Sequence, residues 1–435
     1  MKIRACLLLI SLISILLALP TRSRAATSGI ETPAFESLER VDTDNAFDGD
    51  SASRTFVLRT QEHKPVGDAY IIVTDHTEEQ YLAPLRKLAA FHHGKVLQIG
   101  SFADLCTNER FRDQLRTGLQ AERPRFVAIA PTLGTYQENV LLTFWQIMSE
   151  LGPEPGLDVF PGLLVAPDAA SFANLIEHSI TYTPAPIKPF IVAQVTDCGQ
   201  NGQRSLQKLR ILRQYFQARR VPSSGLIVRK AEAMRCQNEF PAQVGEFELD
   251  QKRPRVLVPS LTPEIQQAFA WSNLDIFFGH GVPGMTCSLD VNAFDQTDFT
   301  GKIVLSGSCF SAAPLYSDLP TDSVGIDGSP VENERTRFFQ RAIANGAVIL
   351  YGHMRTNGGF PELSAFFEGL MNGLTVGESY QRLTNANIAM SKLPQDRIMI
   401  LPQFINFKQA VTRHNALLYV VIGDPALTPF PNRQN

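Results

Sequence analysis

The sequence predicts an α/β protein, three-layer αβα with mostly parallel sheets, and three observations predict it. Short runs rich in Val, Ile and Phe recur along the chain, at residues 69–74, 125–130, 190–195 and 274–279 among others. These runs are mostly apolar and are bounded by small or polar residues, as strands buried on both faces are. Stretches with helical apolar spacing alternate with them; residues 78–91 place Tyr81, Leu82, Leu85, Leu88 and Ala89 at such intervals. Strands alternating with helices build a mainly parallel sheet covered on both sides.

Taken in order, the chain opens with Lys2 and Arg4, an almost wholly apolar stretch from Leu7 to Leu19, and then Ser23-Arg24-Ala25. That is the layout of an export signal over residues 1–25. Its apolar core is shorter than a bilayer span needs, and no later run is long enough, so no stable membrane span is expected. The expected product is exported, periplasmic or secreted. Residues 26–66, rich in Ser, Thr, Asp and Glu, read as a linker, a disordered arm or a short pro-segment.

An N-terminal α/β subdomain is expected over residues 67–186. It has strands at 69–74, 95–99 and 125–130, a strand or loop at 158–165, and helices at 78–91, 139–151 and 168–182. His92 and His93 end the first helix, where a cation suits the helix dipole better than a metal-ligand role explains them. Pro184, Pro186 and Pro189 mark a junction, since proline interrupts both element types. Residues 187–430 form the larger subdomain, in which 190–195 starts a second sheet. Residues 205–218 are an amphipathic helix with Leu206, Leu209, Leu212 and Phe216 on one side and its charges solvated. Residues 226–228 are the next strand, and 261–271 the helix feeding the one after.

At 435 residues and 44% hydrophobic, the chain can bury one large core or two moderate ones. A net charge of −3 with no basic cluster gives no footprint for nucleic acid. Loss of Cys6 with the signal leaves Cys106, Cys198, Cys236, Cys287 and Cys309. An odd count in an exported protein flags one free thiol. Cys309 is the natural candidate, with up to two disulfides of open pairing among the rest. No cysteine spacing matches a zinc site.

The chemistry concentrates between Leu274 and Ala313. One apolar run, Leu274-Asp275-Ile276-Phe277-Phe278-Gly279, leads to His280-Gly281; a second, Lys302-Ile303-Val304-Leu305-Ser306-Gly307-Ser308, leads to Cys309. In an open α/β sheet the carboxyl ends of strands hold the ligand crevice. Two adjacent strands then deliver an imidazole and a thiol to one rim. A thiol is only slightly ionised near neutrality, and a neighbouring imidazole can take its proton. Gly281 allows close substrate approach, and its N–H together with that of Cys309 suits a developing oxyanion. The bland alternative is a buried cysteine beside a satisfied core histidine. Small neighbours and strand-like runs before both residues favour the catalytic pair.

An apolar run ending in His-Gly followed by one ending in small-Cys resembles the signature of the caspase-fold, clan CD cysteine peptidases. More narrowly, the chain resembles the gingipain family. Residues 338–352 are similar to that family's helix, Gly-Ala and next strand, and residues 417–427, with Gly423-Asp424-Pro425, to its closing strand and turn. Fainter similarity reaches back to about Asp68. The resemblance implies a caspase-like catalytic subdomain beside a smaller N-terminal one, and a cysteine endopeptidase acting on protein or peptide substrates without a required cofactor. The chain departs from the family pattern at Ala130-Pro131, where Gly-Asp is usual, and at Gly162-Leu163, where Gly-Arg is usual.

The family has been described with an acidic partner upstream of the histidine; Glu232, Glu239, Glu246 and Glu248 lie in that region. Asp424 is read as holding its own turn, because Asp-Pro favours turn formation. By the same resemblance the loop after Gly352 contributes to the substrate pocket, which nominates His353, Arg355 and Phe360. Phe360 suits stacking, and Arg355 pointing inward would repel a cationic side chain. Asp318, Asp322 and Asp327 are solvated loop acids in the simpler account and a structural calcium site in the sharper one. Two other functions stay open at this point. One is a catalytically silent scaffold or binding protein, since fold does not guarantee activity; the other is a dedicated processing enzyme or transpeptidase with one partner.

Overall fold

The computed structural model describes residues 65, 67–153, 156–236, 241–250, 260–314, 337–355, 364–390 and 417–431, with a short antiparallel pair between Phe35–Glu36 and Val57–Leu58. The expected signal, most of the 26–66 segment, Glu239, the loop holding Asp318, Asp322 and Asp327, and Phe360 lie outside these residues.

The expected strands form. In chain order they are β1 Ala69–Thr74, β2 Lys95–Gln98, β3 Pro124–Ala130, β4 Phe160–Leu163, β5 Pro189–Val195, β6 Ser224–Arg229, β7 Glu246–Asp250 and β8 Leu274–Phe278. Three two-residue strands follow, β9 Gly281–Val282, β10 Met285–Thr286 and β11 Leu289–Asp290, then β12 Ile303–Ser306, β13 Ile349–His353 and β14 Tyr419–Ile422. The helices are α1 Glu79–Phe91, α2 Phe102–Thr107, α3 Glu109–Glu122, α4 Glu138–Met148, α5 Ala169–Thr181, α6 Gln200–Ala218, α7 Pro263–Trp271, α8 Phe338–Ala344, α9 Ser364–Met371 and α10 Val376–Met390. Local chemistry sets several starts: Ser101, Asn108, Asp168 and Thr262 each accept a backbone N–H at a helix N-terminus. Pro263 follows Thr262 at the first turn of α7, where its missing N–H costs nothing.

Eleven strands make one sheet in the order β2-β1-β3-β4-β14-β13-β12-β8-β5-β6-β7. The strand at 190–195 was expected to start a second sheet; instead it joins the same one. β14 closes the gap by pairing with β4 in parallel, Ile422 opposite Leu163, and with β13 antiparallel. Every other neighbouring pair is parallel, so the sheet is two parallel blocks of opposite direction meeting at β13 and β14. The inner strands of both blocks are buried on both faces, as their mostly apolar runs required, while the edge strands β2 and β7 are partly exposed; Ile71, Val127, Ile191, Ile276, Val304 and Leu350 are fully buried.

The Gly-Asp-Pro turn does more than hold itself. Asp424 accepts the Ala426 N–H at 3.0 Å, as expected, and also the Tyr70 hydroxyl at 2.8 Å and the His92 Nε2 at 2.7 Å. Tyr70 and His92 stack at 4.3 Å between centroids. His92 is therefore committed to a carboxylate 332 residues away that ties the chain's last turn to its first strand. Among the described residues no helix is long and apolar enough to cross a membrane.

Candidate active site

β8 and β12 are neighbours, and their parallel register ends with Phe277 opposite Ser306. His280 and Cys309 each lie three residues beyond that pair. Equal reach past one register mark puts both at the same end of adjacent strands, and the Gly307 N–H extends the ladder to the Phe277 carbonyl at 2.9 Å. The two segments approach closely at Gly281. A Cβ there would run into the Cys309 carbonyl oxygen and lie 2.7 Å from the Ser308 Cβ. Glycine is thus required by close approach of the cysteine's own backbone.

The histidine segment is held from below by β5. Gln194, 1% exposed at the end of that strand, accepts the His280 N–H at 2.6 Å and donates to the Ser288 hydroxyl. The chain then folds into the β9-β10-β11 meander. Cys287 and Ser288 make its tight turn with φ of 52° and 63°, and the Cys287 N–H returns to the His280 carbonyl at 2.9 Å. Two successive positive φ values are the geometry of a type I′ hairpin turn. Gln194 was not anticipated, yet a lone amide in the apolar run Phe190-Ile191-Val192-Ala193-Gln194-Val195 was a readable signal, because a buried amide must find partners.

The cysteine segment turns sharply. Phe310, directly after Cys309, has φ 59°, a left-handed conformation that a bulky residue adopts only when its surroundings enforce it. The enforcement is visible. The Phe310 N–H donates to the Arg355 carbonyl at 3.0 Å and the Ala312 N–H to the His353 carbonyl at 3.0 Å. Ser311 donates to the Ser308 carbonyl at 2.9 Å while accepting the His353 N–H at 3.0 Å, and Tyr136 donates to the Ala312 carbonyl at 2.7 Å. Beneath lies a hydroxyl chain in which Thr286 reaches Ser306 at 3.1 Å and Ser308 at 2.8 Å, tying the meander to β12.

Electrostatics differ between the sulfurs. Burial pushes the Cys287 thiol up to about 12, which makes it an inert packing group. Cys309 is half-buried and close enough to Tyr419 that a thiolate there raises the tyrosine's pKa, although burial is the larger cause. His280 has an open face to solvent, but loss of hydration against the protein and then the Lys230 ammonium lower its pKa below the ordinary 6.5. The shift favours the uncharged imidazole, the form able to accept a proton. Removing the ammonium in Lys230→Gln is expected to raise the His280 pKa. The acid limb of the reaction rate against pH then moves toward higher pH, and measuring kcat/KM from pH 5 to 8 in both proteins checks it.

Two of the candidate acids, Glu246 and Glu248, are committed to arginines. Glu246 pairs with Arg213 at 3.0 Å and Glu248 with the buried Arg229, both on β7 at the sheet edge, with β6 and β5 intervening before β8. The backbone carbonyl of Glu232 accepts the Cys198 thiol at 3.5 Å. The pocket residues are also placed. His353 is 1% exposed, packs edge-on against Tyr419 at 4.5 Å and has Nδ1 within 3.0 Å of the Arg355 N–H. Arg355 forms an ion pair with Glu138, at the start of α4. Its charge is therefore balanced by a carboxylate far earlier in the chain, a partner no local pattern selects. Among the described residues no group of three or more His, Cys, Asp or Glu is placed to hold a metal.

The large, mostly parallel sheet with its helices is an α/β fold that solved cysteine proteinases share. No protein-family model matches the sequence, and no curated protein matches it. Among solved structures the chain is similar to the Arg-specific cysteine proteinase gingipain R, with TM-score 0.52, 11% identity, and coverage of 84% of this chain and 80% of that one. It is similar also to RgpB of Porphyromonas gingivalis in the complex of its pro- and mature domains, with TM-score 0.52, 12% identity, and 83% and 80% covered. At these identities the likeness is one of fold.

The close approach at Gly281 makes a prediction of its own. In Gly281→Ala the added methyl must push the His280 and Cys309 segments apart. A displacement of about 1 Å at reacting groups costs about 100-fold in rate, so kcat/KM is expected to fall by that order while circular dichroism stays native.

Proposed function

We propose that the chain is an exported cysteine endopeptidase of the gingipain kind. Cys309 attacks the scissile carbonyl carbon, and His280 takes the thiol proton and passes it to the departing amine. The acyl-enzyme formed on Cys309 is hydrolysed by water, with His280 accepting the water proton and returning it to the sulfur. The N–H groups of Gly281 and Cys309 stabilise the oxyanion of both tetrahedral intermediates. The observation that carries this reading is the shared register of β8 and β12 together with the packing of Gly281 on the Cys309 carbonyl. The lowered His280 pKa and the enforced turn at Phe310 add to it. Export rests on the charged, apolar and small-residue order of residues 1–25.

The test is a panel of peptidyl acyloxymethyl ketones carrying Arg, Lys, Asn, Asp or Leu next to the warhead, with and without calcium. A single adduct mapped to the Cys309 peptide is expected, and the reactive member of the panel names the side chain preferred before the cleaved bond. No adduct from any member, on protein with a cooperative melt, would favour the silent scaffold.

A further inference from the structure

Cys198 and Cys236 come from segments that follow neighbouring strands, β5 and β6, and those segments are drawn together. The Lys230 N–H donates to the Val195 carbonyl at 2.9 Å, and the Ala233 N–H closes a turn on the Lys230 carbonyl at 2.8 Å. The Cys198 thiol points at the Glu232 carbonyl, 3.5 Å away, and the Cys236 thiol at the carbonyl of the next residue, Ala233, 2.9 Å away. Two sulfurs held on consecutive carbonyls are brought close together, and the Cys198 thiol is among the groups that raise the Cys236 pKa. We infer that Cys198 and Cys236 are a dithiol site that closes to an intramolecular disulfide by exchange with a disulfide oxidant.

The two sites of attack are unequal, which gives the exchange an order. Cys198 is half-buried and reachable, whereas Cys236 is buried. Burial, with the Cys198 thiol next, pushes the Cys236 thiol up to about 11, so it is the poorer first nucleophile. The Cys198 thiolate attacks one sulfur of the oxidant's disulfide and expels the other as a thiolate. Cys236 then gives up its proton and attacks the Cys198 sulfur, breaking the mixed disulfide and releasing the second oxidant thiolate. Two protein thiols are oxidised, one external disulfide is reduced to two thiols, and protons are conserved.

The bridge lies beside the proposed active site. Cys198 is four residues past Gln194, which holds the His280 backbone, and Lys230, which lowers the His280 pKa, sits inside the bridged segment. Closure fixes both against each other and shortens the unfolded chain across residues 198–236, which stabilises the fold. An oxidising compartment supplies such oxidants; in that respect the inference rests on the export reading, but the chemistry of the pair does not.

The test keeps the two apart by using purified, reduced protein and oxidised glutathione. After exchange, denaturation and alkylation without reductant, a peptide map is expected to show Cys198 joined to Cys236, with two hydrogens lost. The oxidised protein is expected to melt several degrees above the reduced one, and Cys198→Ala to abolish that difference. A stable glutathione adduct at Cys198 with Cys236 still open to alkylation would overturn the inference. So would a bridge from either residue to a different cysteine, or an oxidation-dependent rise in melting temperature that survives in Cys198→Ala. Whether peptidase activity is found in the same protein does not bear on any of these readings.

Discussion

Cys309→Ala and His280→Ala are each expected to lower kcat for peptide hydrolysis by about a million-fold, and the double variant by no more. A nucleophile and its base act as one unit, so losing either forfeits nearly everything the pair supplies. The residual rate belongs to substrate binding and to the backbone donors, which neither substitution removes. Folding is not at stake for the thiol. Cys309 is only half-buried, and the turn beyond it is held by main-chain bonds to His353 and Arg355 and by the Ser311 hydroxyl. The readout is single-turnover cleavage of whichever peptide the ketone panel selects, with near-ultraviolet circular dichroism as the control. Multiplying rather than coinciding losses would mean that His280 and Cys309 do not act together. An undiminished rate in Cys309→Ala would transfer the chemistry to another group.

Much of this geometry was legible before any coordinates, for a physical reason. Strands buried on both faces are conspicuous in sequence, because nearly every position is apolar and the few polar ones must find buried partners, and that is why β1, β3, β5, β8 and β12 were found with little error. The candidate pair, His280 and Cys309, was legible because polar residues just past the ends of such strands stand out. What was not legible depends on which strands become neighbours. The sheet's continuity rests on β14 pairing both β4 and β13, a contact between residues 163 and 422 that no local pattern encodes. The partner choices of charged groups were hidden for the same reason. Glu246 and Glu248 looked available to a histidine and are paired with arginines; Arg355 looked like an obstacle in a pocket and is paired with Glu138. Periodicity says that a charge will be satisfied somewhere, not by what.

The other large effect concerns stability, at the far end of the same two strands. Asp275, on β8, and Lys302, just before β12, are 0% and 4% exposed, with the Lys302 Nζ 3.5 Å from the Asp275 carboxylate. Ser272 donates to that carboxylate, and Lys302 also donates to the Phe269 carbonyl and lies 5.8 Å from the Phe269 ring centroid. Burial raises the Asp275 pKa, and Lys302 opposes it. A folded-state pKa above the unfolded one means that the native protein binds the proton more tightly, so stability falls as pH rises above the unfolded value of about 3.9. In Lys302→Met the opposing charge is gone and that window widens. Breaking a buried pair from one side costs about 3–5 kcal/mol, and the loss is expected at neutral pH and to shrink as pH falls toward 4. Asp275→Leu combined with Lys302→Met is expected to recover most of it, since a well-packed apolar pair carries no desolvation penalty. Denaturant unfolding of the three proteins at pH 7 and pH 4.5 separates the contributions. A Lys302→Met protein as stable as the parent at pH 7 would mean that Asp275 is already protonated in the native state, and that the lysine is held by the Phe269 carbonyl and Ser272 rather than by charge.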